Sequence, residues 1–146
     1  NTASGAITRL LDMGIEPYLL AACIIGIISQ RLVRKICSNC KKEYVASSME
    51  RTLLQIENED LRLYHGVGCN YCNQTGYFQR TAIGEIVYIT SAHRRLISEQ
   101  ASAQEFDAVS RRMGYKSMLE NGIDLVLQGT TSLDELKRMI YNIENM

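Results

Sequence analysis

Residues 37–72 read CSNCKKEYVASSMERTLLQIENEDLRLYHGVGCNYC, a segment that opens and closes on a Cys-x-x-Cys pair. Two residues between Cys37 and Cys40, and again between Cys69 and Cys72, let one turn present both sulfurs to the same point. Two such turns supply the closed four-thiolate set that zinc favours in structural sites. Twenty-eight residues separate the pairs, more than in the commonest two-knuckle spacings. Loop-closure cost grows only logarithmically, so the extra length is tolerable. Lys35, Lys41 and Lys42 flank the first pair and would offset the two net negative charges of a zinc tetrathiolate. Gly66, Gly68 and Gly76 permit a tight turn around the second. Such a site has no open position, so the ion braces the fold and does no chemistry. Four reduced thiols without metal, or a redox Cys-x-x-Cys, are the competing readings. His65 is a reserve ligand near the second pair. Cys23 lies in an apolar run and reads as an inert core thiol.

Outward from this segment the chain alternates helix and strand signals. Ile7, Leu10 and Leu11 recur at helical spacing over residues 3–13, and Gly14 suits the helix end. Pro17 fits the first turn of a second helix. Residues 24–33 follow as a strand, β-branched and weakened for helix by Gly26. A further helix is expected near 48–56, and tight turns over 64–76. Residues 80–90, RTAIGEIVYIT, read as a strand apolar on both faces toward its end, hence buried on both sides. A helix over 91–99 precedes three starts marked by capping boxes: Ser102 with Glu105, Ser117 with Glu120 and Ser132 with Glu135. Their apolar stripes are Phe106, Val109 and Met113; Met118, Leu119, Ile123, Val126 and Leu127; and Leu133, Leu136, Ile140 and Ile143. Residues 91–146 therefore read as a compact bundle of short helices. His93 is expected on a solvated helix face.

The bulk numbers narrow the class. The chain has 146 residues, 46 % apolar and 22 % charged, with 16 basic against 16 acidic side chains. A balanced charge argues against a dedicated nucleic-acid binder. The longest uncharged apolar run, residues 18–28, is too short to cross a bilayer. No secretory leader is visible, so a reducing, cytosolic compartment is the default and paired cysteines read as ligands or redox groups. The chain begins at Asn1 without an initiator Met, which reads as a fragment. It contains no G-x-x-x-x-G-K-[ST] loop and no G-x-G-x-x-G, and neither a G-x-S-x-G elbow nor H-E-x-x-H. A stand-alone zinc ribbon that binds nucleic acid or protein stays open on these residues alone.

Four segments together resemble the C-terminal part of the type II secretion and type IV pilus assembly ATPases. Residues 1–20, NTASGAITRLLDMGIEPYLL, resemble the stretch after that family's histidine box. Residues 29–42, SQRLVRKICSNCKK, resemble its Q-R-L-V-R segment leading into a first zinc knuckle. Residues 64–86, YHGVGCNYCNQTGYFQRTAIGEI, are similar to its second knuckle and following strand, G-C-x-x-C-x-x-T-G-Y-x-G-R-T-G-I-x-E. Residues 125–136, LVLQGTTSLDEL, match its V-x-x-G-x-T-[ST]-x-[DE]-[ED] tail. Gln79 stands where the family often has Gly, and Ala82 replaces the second Gly of R-T-G-I.

The resemblance implies an α+β fragment of an α/β, RecA-like P-loop ATPase. Residues 1–36 would be the tail of the ATPase domain and 37–75 a zinc-binding knuckle subdomain. Residues 76–90 would be the return strand to the core, and 91–146 a C-terminal helical domain. The parent would be a cytoplasmic homo-hexamer, peripheral at the inner membrane, that uses ATP and Mg2+ to move an inner-membrane platform protein together with other secretion or pilus assembly subunits. Neither nucleic acid nor a transmembrane segment is implied. Its Walker motifs would lie upstream of Asn1. Zinc would be held by Cys37, Cys40, Cys69 and Cys72. Arg80 matches the arginine of R-T-G-I, placed toward nucleotide or a neighbouring subunit, where a guanidinium can grip phosphate bidentately. Arg31 and Arg34 would support the knuckle or a subunit contact.

Overall fold

A computed structural model describes residues 2–144, with side chains for residues 2–140. The elements are α1 (Ala3–Asp12), α2 (Pro17–Cys23), β1 (Gly26–Ile36), β2 (Lys41–Val45), α3 (Ser48–Leu54), β3 (Arg62–Gly66), β4 (Tyr77–Tyr88), α4 (Ser91–Ser98), α5 (Ala103–Arg112), α6 (Met118–Leu127) and α7 (Leu133–Glu144). They form an α+β arrangement with two two-stranded sheets, β1 with β4 and β2 with β3. The chain divides into two compact units, residues 1–30 with 84–118 and residues 31–83 with 119–146. The helices after residue 90 are shared between them, α4 and α5 in the first unit, α7 and nearly all of α6 in the second.

In the first unit, Thr2 caps α1 by accepting from the Gly5 amide, and Pro17 opens α2 where its missing N–H costs nothing. The Ile89 N–H donates to the Ile25 carbonyl, while Gly84 lies against the Ser29 carbonyl. The two strands therefore run antiparallel. Ile7, Leu20, Ile27, Val87, Ile97 and Phe106 make the core. Glu85 is only 2 % exposed. Its Oε1 accepts from the Ala3 N–H at 2.6 Å, and its Oε2 from the Tyr115 hydroxyl at 2.8 Å and the Met118 N–H at 2.9 Å. A carboxylate thus sits on the first turns of α1 and α6, where free amides and the helix dipole favour negative charge.

Several expectations change here. The strand expected over 24–33 runs from Gly26 to Ile36, and that over 80–90 from Tyr77 to Tyr88. The latter is not buried on both sides: Ile83, Glu85 and Val87 are buried, while Ile86 and Tyr88 alternate outward. The period-2 geometry of a strand in this two-stranded sheet leaves that second face open. Met113 is 56 % exposed because α5 ends at Arg112 and Met113 is already its C-cap. Leu119 is also exposed, whereas Met139, outside the third stripe, is buried. Ile143 lies outside the residues whose side chains are described. Cys23 is exposed rather than in the core, since it ends α2 one residue before the chain turns extended at Ile24.

The second unit holds the cysteines. The stretch after Cys40, polar in sequence, is β2, paired antiparallel with β3 so that Lys41 faces Gly66 and Val45 faces Arg62. Residues 64–76 therefore begin in a strand before they become turns. Between β2 and β3, α3 opens on a capping box in which Ser47 and Glu50 satisfy each other's amides. It stops at Leu54, two residues short of expectation, on a left-handed Gln55. Within β4, Gln79 has φ +65°. In this left-handed conformation glycine is the unstrained choice.

Candidate metal centre

The first Cys pair leaves the end of β1 and the second leaves the end of β3. Two backbone bonds cross between the turns. Cys37 N–H donates to the Gly76 carbonyl at 3.0 Å, and Val67 N–H donates to the Cys40 carbonyl at 3.1 Å. Gly66 and Gly76 make this crossing possible, because a Cβ on either would collide with the backbone of the other. Within the second turn the Gln74 N–H closes back on the Cys69 carbonyl at 2.9 Å. Asn73 and Gln74 take left-handed φ of 52° and 63° to do so.

The four sulfurs all lie within 4.8 Å of one another. Cys37 and Cys69 are 3.9 Å apart, Cys40 and Cys72 3.8 Å, and Cys69 and Cys72 3.7 Å. Zinc–thiolate bonds of about 2.3 Å in a tetrahedron require sulfurs about 3.8 Å apart. The cluster therefore has the size a zinc ion needs. No disulfide joins the cysteines. Cys37, Cys40 and Cys72 are buried and Cys69 is half-buried.

The surroundings favour the thiolate at two of the four, Cys69 and Cys72. Cys72 Sγ accepts from the Cys69 N–H at 3.3 Å and the Gly76 N–H at 3.2 Å, and Cys69 Sγ accepts from Asn39 Nδ2 at 3.3 Å. At Cys72 burial pushes the thiol up, but these backbone donors outweigh it and hold the thiol at about 6. The Asn39 amide chiefly lowers Cys69. Burial pushes Cys40 up to about 12. A cation entering the cluster takes the place of the remaining protons.

A second set of contacts fixes the strands that enter the cluster, through the segment Gly129–Ser132 between α6 and α7. The Ile36 N–H donates to the Thr130 carbonyl at 3.0 Å, and the Thr131 hydroxyl donates to the Arg34 carbonyl at 2.8 Å. Tyr77, next to Gly76, meets the Ser132 hydroxyl at 2.5 Å. Ser132 caps the Glu135 amide as expected at 3.2 Å, but the Glu135 carboxylate does not reach back along its own helix. It takes the Arg34 backbone N–H at 3.0 Å and the Arg34 guanidinium at 2.6 and 2.9 Å. The guanidinium also lies 4.0 Å above the Tyr77 ring. Arg34 therefore braces the knuckle, one of the two roles expected of it. The identities of Glu135, Tyr77 and Thr131 as its partners carry no local signal.

The other candidates scatter. Arg80 is exposed on β4, and among the described residues its guanidinium has no hydrogen bond or ion pair. His65 stays outside the sulfur cluster and packs its ring 5.2 Å from that of Tyr44. His93 is not on a solvated face: it is 1 % exposed. Its Nδ1 accepts from the Thr90 N–H at 3.2 Å, so Nε2 carries the proton toward the Ser110 hydroxyl at 3.0 Å. Burial lowers its affinity for a second proton. Its position follows from α4 turning that side chain toward Phe106 on α5.

Residues 1–138 match the family model described as type II/IV secretion system protein. The chain is 42 % identical over 140 residues to the type II secretion system ATPase E of Vibrio cholerae, covering 95 % of this chain and 28 % of that protein. It is 42 % identical over 139 residues to the type IV pilus assembly ATPase PilB of Thermus thermophilus, covering 93 % of this chain and 16 % of that one. The putative type II secretion system protein E of Escherichia coli is 37 % identical over 140 residues, with 95 % and 28 % covered. The chain thus spans less than a third of the length of each of these relatives. No helix among the described residues is long and apolar enough to cross a membrane.

Proposed function

The chain belongs to the type II/IV secretion system protein family, and from that premise we propose that it is the C-terminal part of a hexameric ATPase that powers type II secretion or type IV pilus assembly. In this reading residues 37–75 are a zinc-bearing structural subdomain, and Cys37, Cys40, Cys69 and Cys72 hold the ion. The ion supplies a four-way crosslink; the thiolates hold it, and the crossing at Gly66 and Gly76 keeps them in register. The observation that carries the reading is the sulfur cluster, sized for zinc, in a chain 42 % identical to secretion and pilus ATPases. Walker motifs are absent from these 146 residues, so ATP and Mg2+ act elsewhere in the parent polypeptide.

Two features support the strands as part of a larger RecA-like sheet. Ile28, Ile86 and Tyr88 present an apolar face that the first unit does not cover. Arg80, without a hydrogen bond or ion pair among the described residues and next to a strained Gln79, suits a contact with nucleotide or a neighbouring subunit. The parent works at the cytoplasmic face of the inner membrane on a platform protein.

Metal analysis of the purified 146-residue chain tests the site: one zinc per chain is expected, and none with four titratable thiols would overturn it. The chain alone hydrolyses no ATP. In the full-length polypeptide Arg80→Ala lowers kcat while zinc content stays at one per chain; unchanged hydrolysis would remove Arg80 from the nucleotide site.

A further inference from the structure

The four sulfurs differ in how they are held. Cys37 is 0 % exposed, Cys40 6 % and Cys72 4 %, whereas Cys69 is only partly buried. The donors to Cys72 Sγ are the backbone N–H groups of Cys69 and Gly76, fixed by the fold of the second turn. Cys69 is served by the backbone of Tyr71 and Cys72 and, first among its donors, by a side chain, Asn39 Nδ2 at 3.3 Å, which sits in the other turn, thirty residues away in sequence. Asn39 therefore ties the first Cys-x-x-Cys to the most accessible sulfur of the second.

We propose that Asn39 is a positioning residue that latches Cys69, the least buried cysteine of the four, into the ligand set, so that Cys69 is the ligand through which the ion is exchanged. The proposal rests on the zinc reading above. Its physical basis is the charge of the site. Four thiolates leave a doubly negative cluster around a divalent ion, and each N–H aimed at a sulfur spreads that charge. For three sulfurs the protein interior blocks water and competing ligands. For Cys69 solvent has access, and the Asn39 amide is the side-chain group that opposes its departure. Outer-shell donors of this kind typically change metal binding by about 10- to 100-fold. An exposed amide belongs at the lower end of that range.

The test uses the zinc-loaded 146-residue chain with Asn39→Ala, with Asn39→Asp, which keeps the shape but removes the donor, and with Asn70→Ala. Asn70 is another exposed amide, whose oxygen accepts from Gln74 and not from a sulfur's partner. The first readout is the rate of zinc transfer to a colorimetric chelator in excess. Both Asn39 variants are expected to load one zinc and release it about tenfold faster, with Asn70→Ala unchanged. The second readout is the order of iodoacetamide labelling, mapped by mass spectrometry. Exposed Cys23 reacts first, then Cys69, and Cys69 gains most from Asn39→Ala. Release within twofold of the unsubstituted chain, equal acceleration by Asn70→Ala, or another knuckle cysteine labelled before Cys69 would each overturn the role of Asn39. An unsubstituted chain that holds no zinc would overturn the metal reading itself, which separates the two failures.

Discussion

Replacing Glu85 by alanine should cost this chain close to half its stability. The carboxylate is 2 % exposed and accepts three hydrogen bonds, of 2.6, 2.8 and 2.9 Å. Two of its donors are backbone amides at the starts of α1 and α6, which have no other intrahelical partner. Hydrogen bonds to a charged group contribute about 1.5–3 kcal/mol each, and a buried donor left unpaired costs about 1–3 kcal/mol. The three are not additive, because the Tyr115 hydroxyl can rotate to water once the acceptor is gone. A loss of about 4–5 kcal/mol follows, at the top of what single substitutions do. A domain of this size has roughly 10 kcal/mol to lose. Glu85→Gln keeps the volume but sets an NH2 against one donor side, and should cost about 2–3 kcal/mol. Tyr115→Phe removes one bond and leaves the carboxylate with two amides, for about 1 kcal/mol. The assay is urea unfolding of the zinc-loaded chain followed by far-UV circular dichroism, with linear extrapolation. A Glu85→Ala loss below 1 kcal/mol, or Gln and Ala variants of equal stability, would refute the bridging role.

Glu135→Gln should cost about 2 kcal/mol, less than a fully buried pair because the Arg34 side chain is still 34 % exposed. Burial opposes ionisation of Glu135, but Arg34 outweighs it and holds the carboxyl below its ordinary value. This contribution is therefore present at neutral pH and lost as pH falls through the folded-state value; equal acid sensitivity in the variant would contradict it. His93 gives a second pH dependence: its buried ring is harder to protonate when folded, so stability is complete above the ordinary imidazole range, near about 6.5, and declines as pH falls through it. His93→Asn should flatten the urea midpoint between pH 7.5 and 5.5, and an unflattened profile would dismiss the assignment. Gln79→Gly should raise stability by about 0.5–1 kcal/mol by relieving a left-handed residue inside β4; a loss of stability would show that the Gln79 side chain matters more than its backbone.

The helices were legible wherever the signal is local. Pro17 opens α2, and Ser102 with Glu105 opens α5, because a cap or a proline acts within one turn of chain. Strand pairing was less so. β2 and β3 carry Lys, Glu, Tyr and His, and nothing in KKEYV or RLYHG announces a partner until the two lie side by side. His93 shows the same limit, since nothing near it in sequence distinguishes a helix position facing Phe106 from one facing water. The capping arm of Glu135 failed for a related reason: Arg34, a stronger partner 101 residues away, outcompetes the local amide.

By itself the sequence named the four cysteines that come together. Sulfur is the only ligand type offered four times at matched short spacing, so residue identity alone names Cys37, Cys40, Cys69 and Cys72. The tertiary structure decided how those four differ: which three are sealed, which one meets solvent, and that an amide from the other turn holds the fourth. Spacing along a chain fixes which atoms can meet. Burial and hydrogen bonding between distant segments fix how strongly each is held, because they depend on the residues that cross at Gly66 and Gly76 and fasten at Thr130 and Thr131.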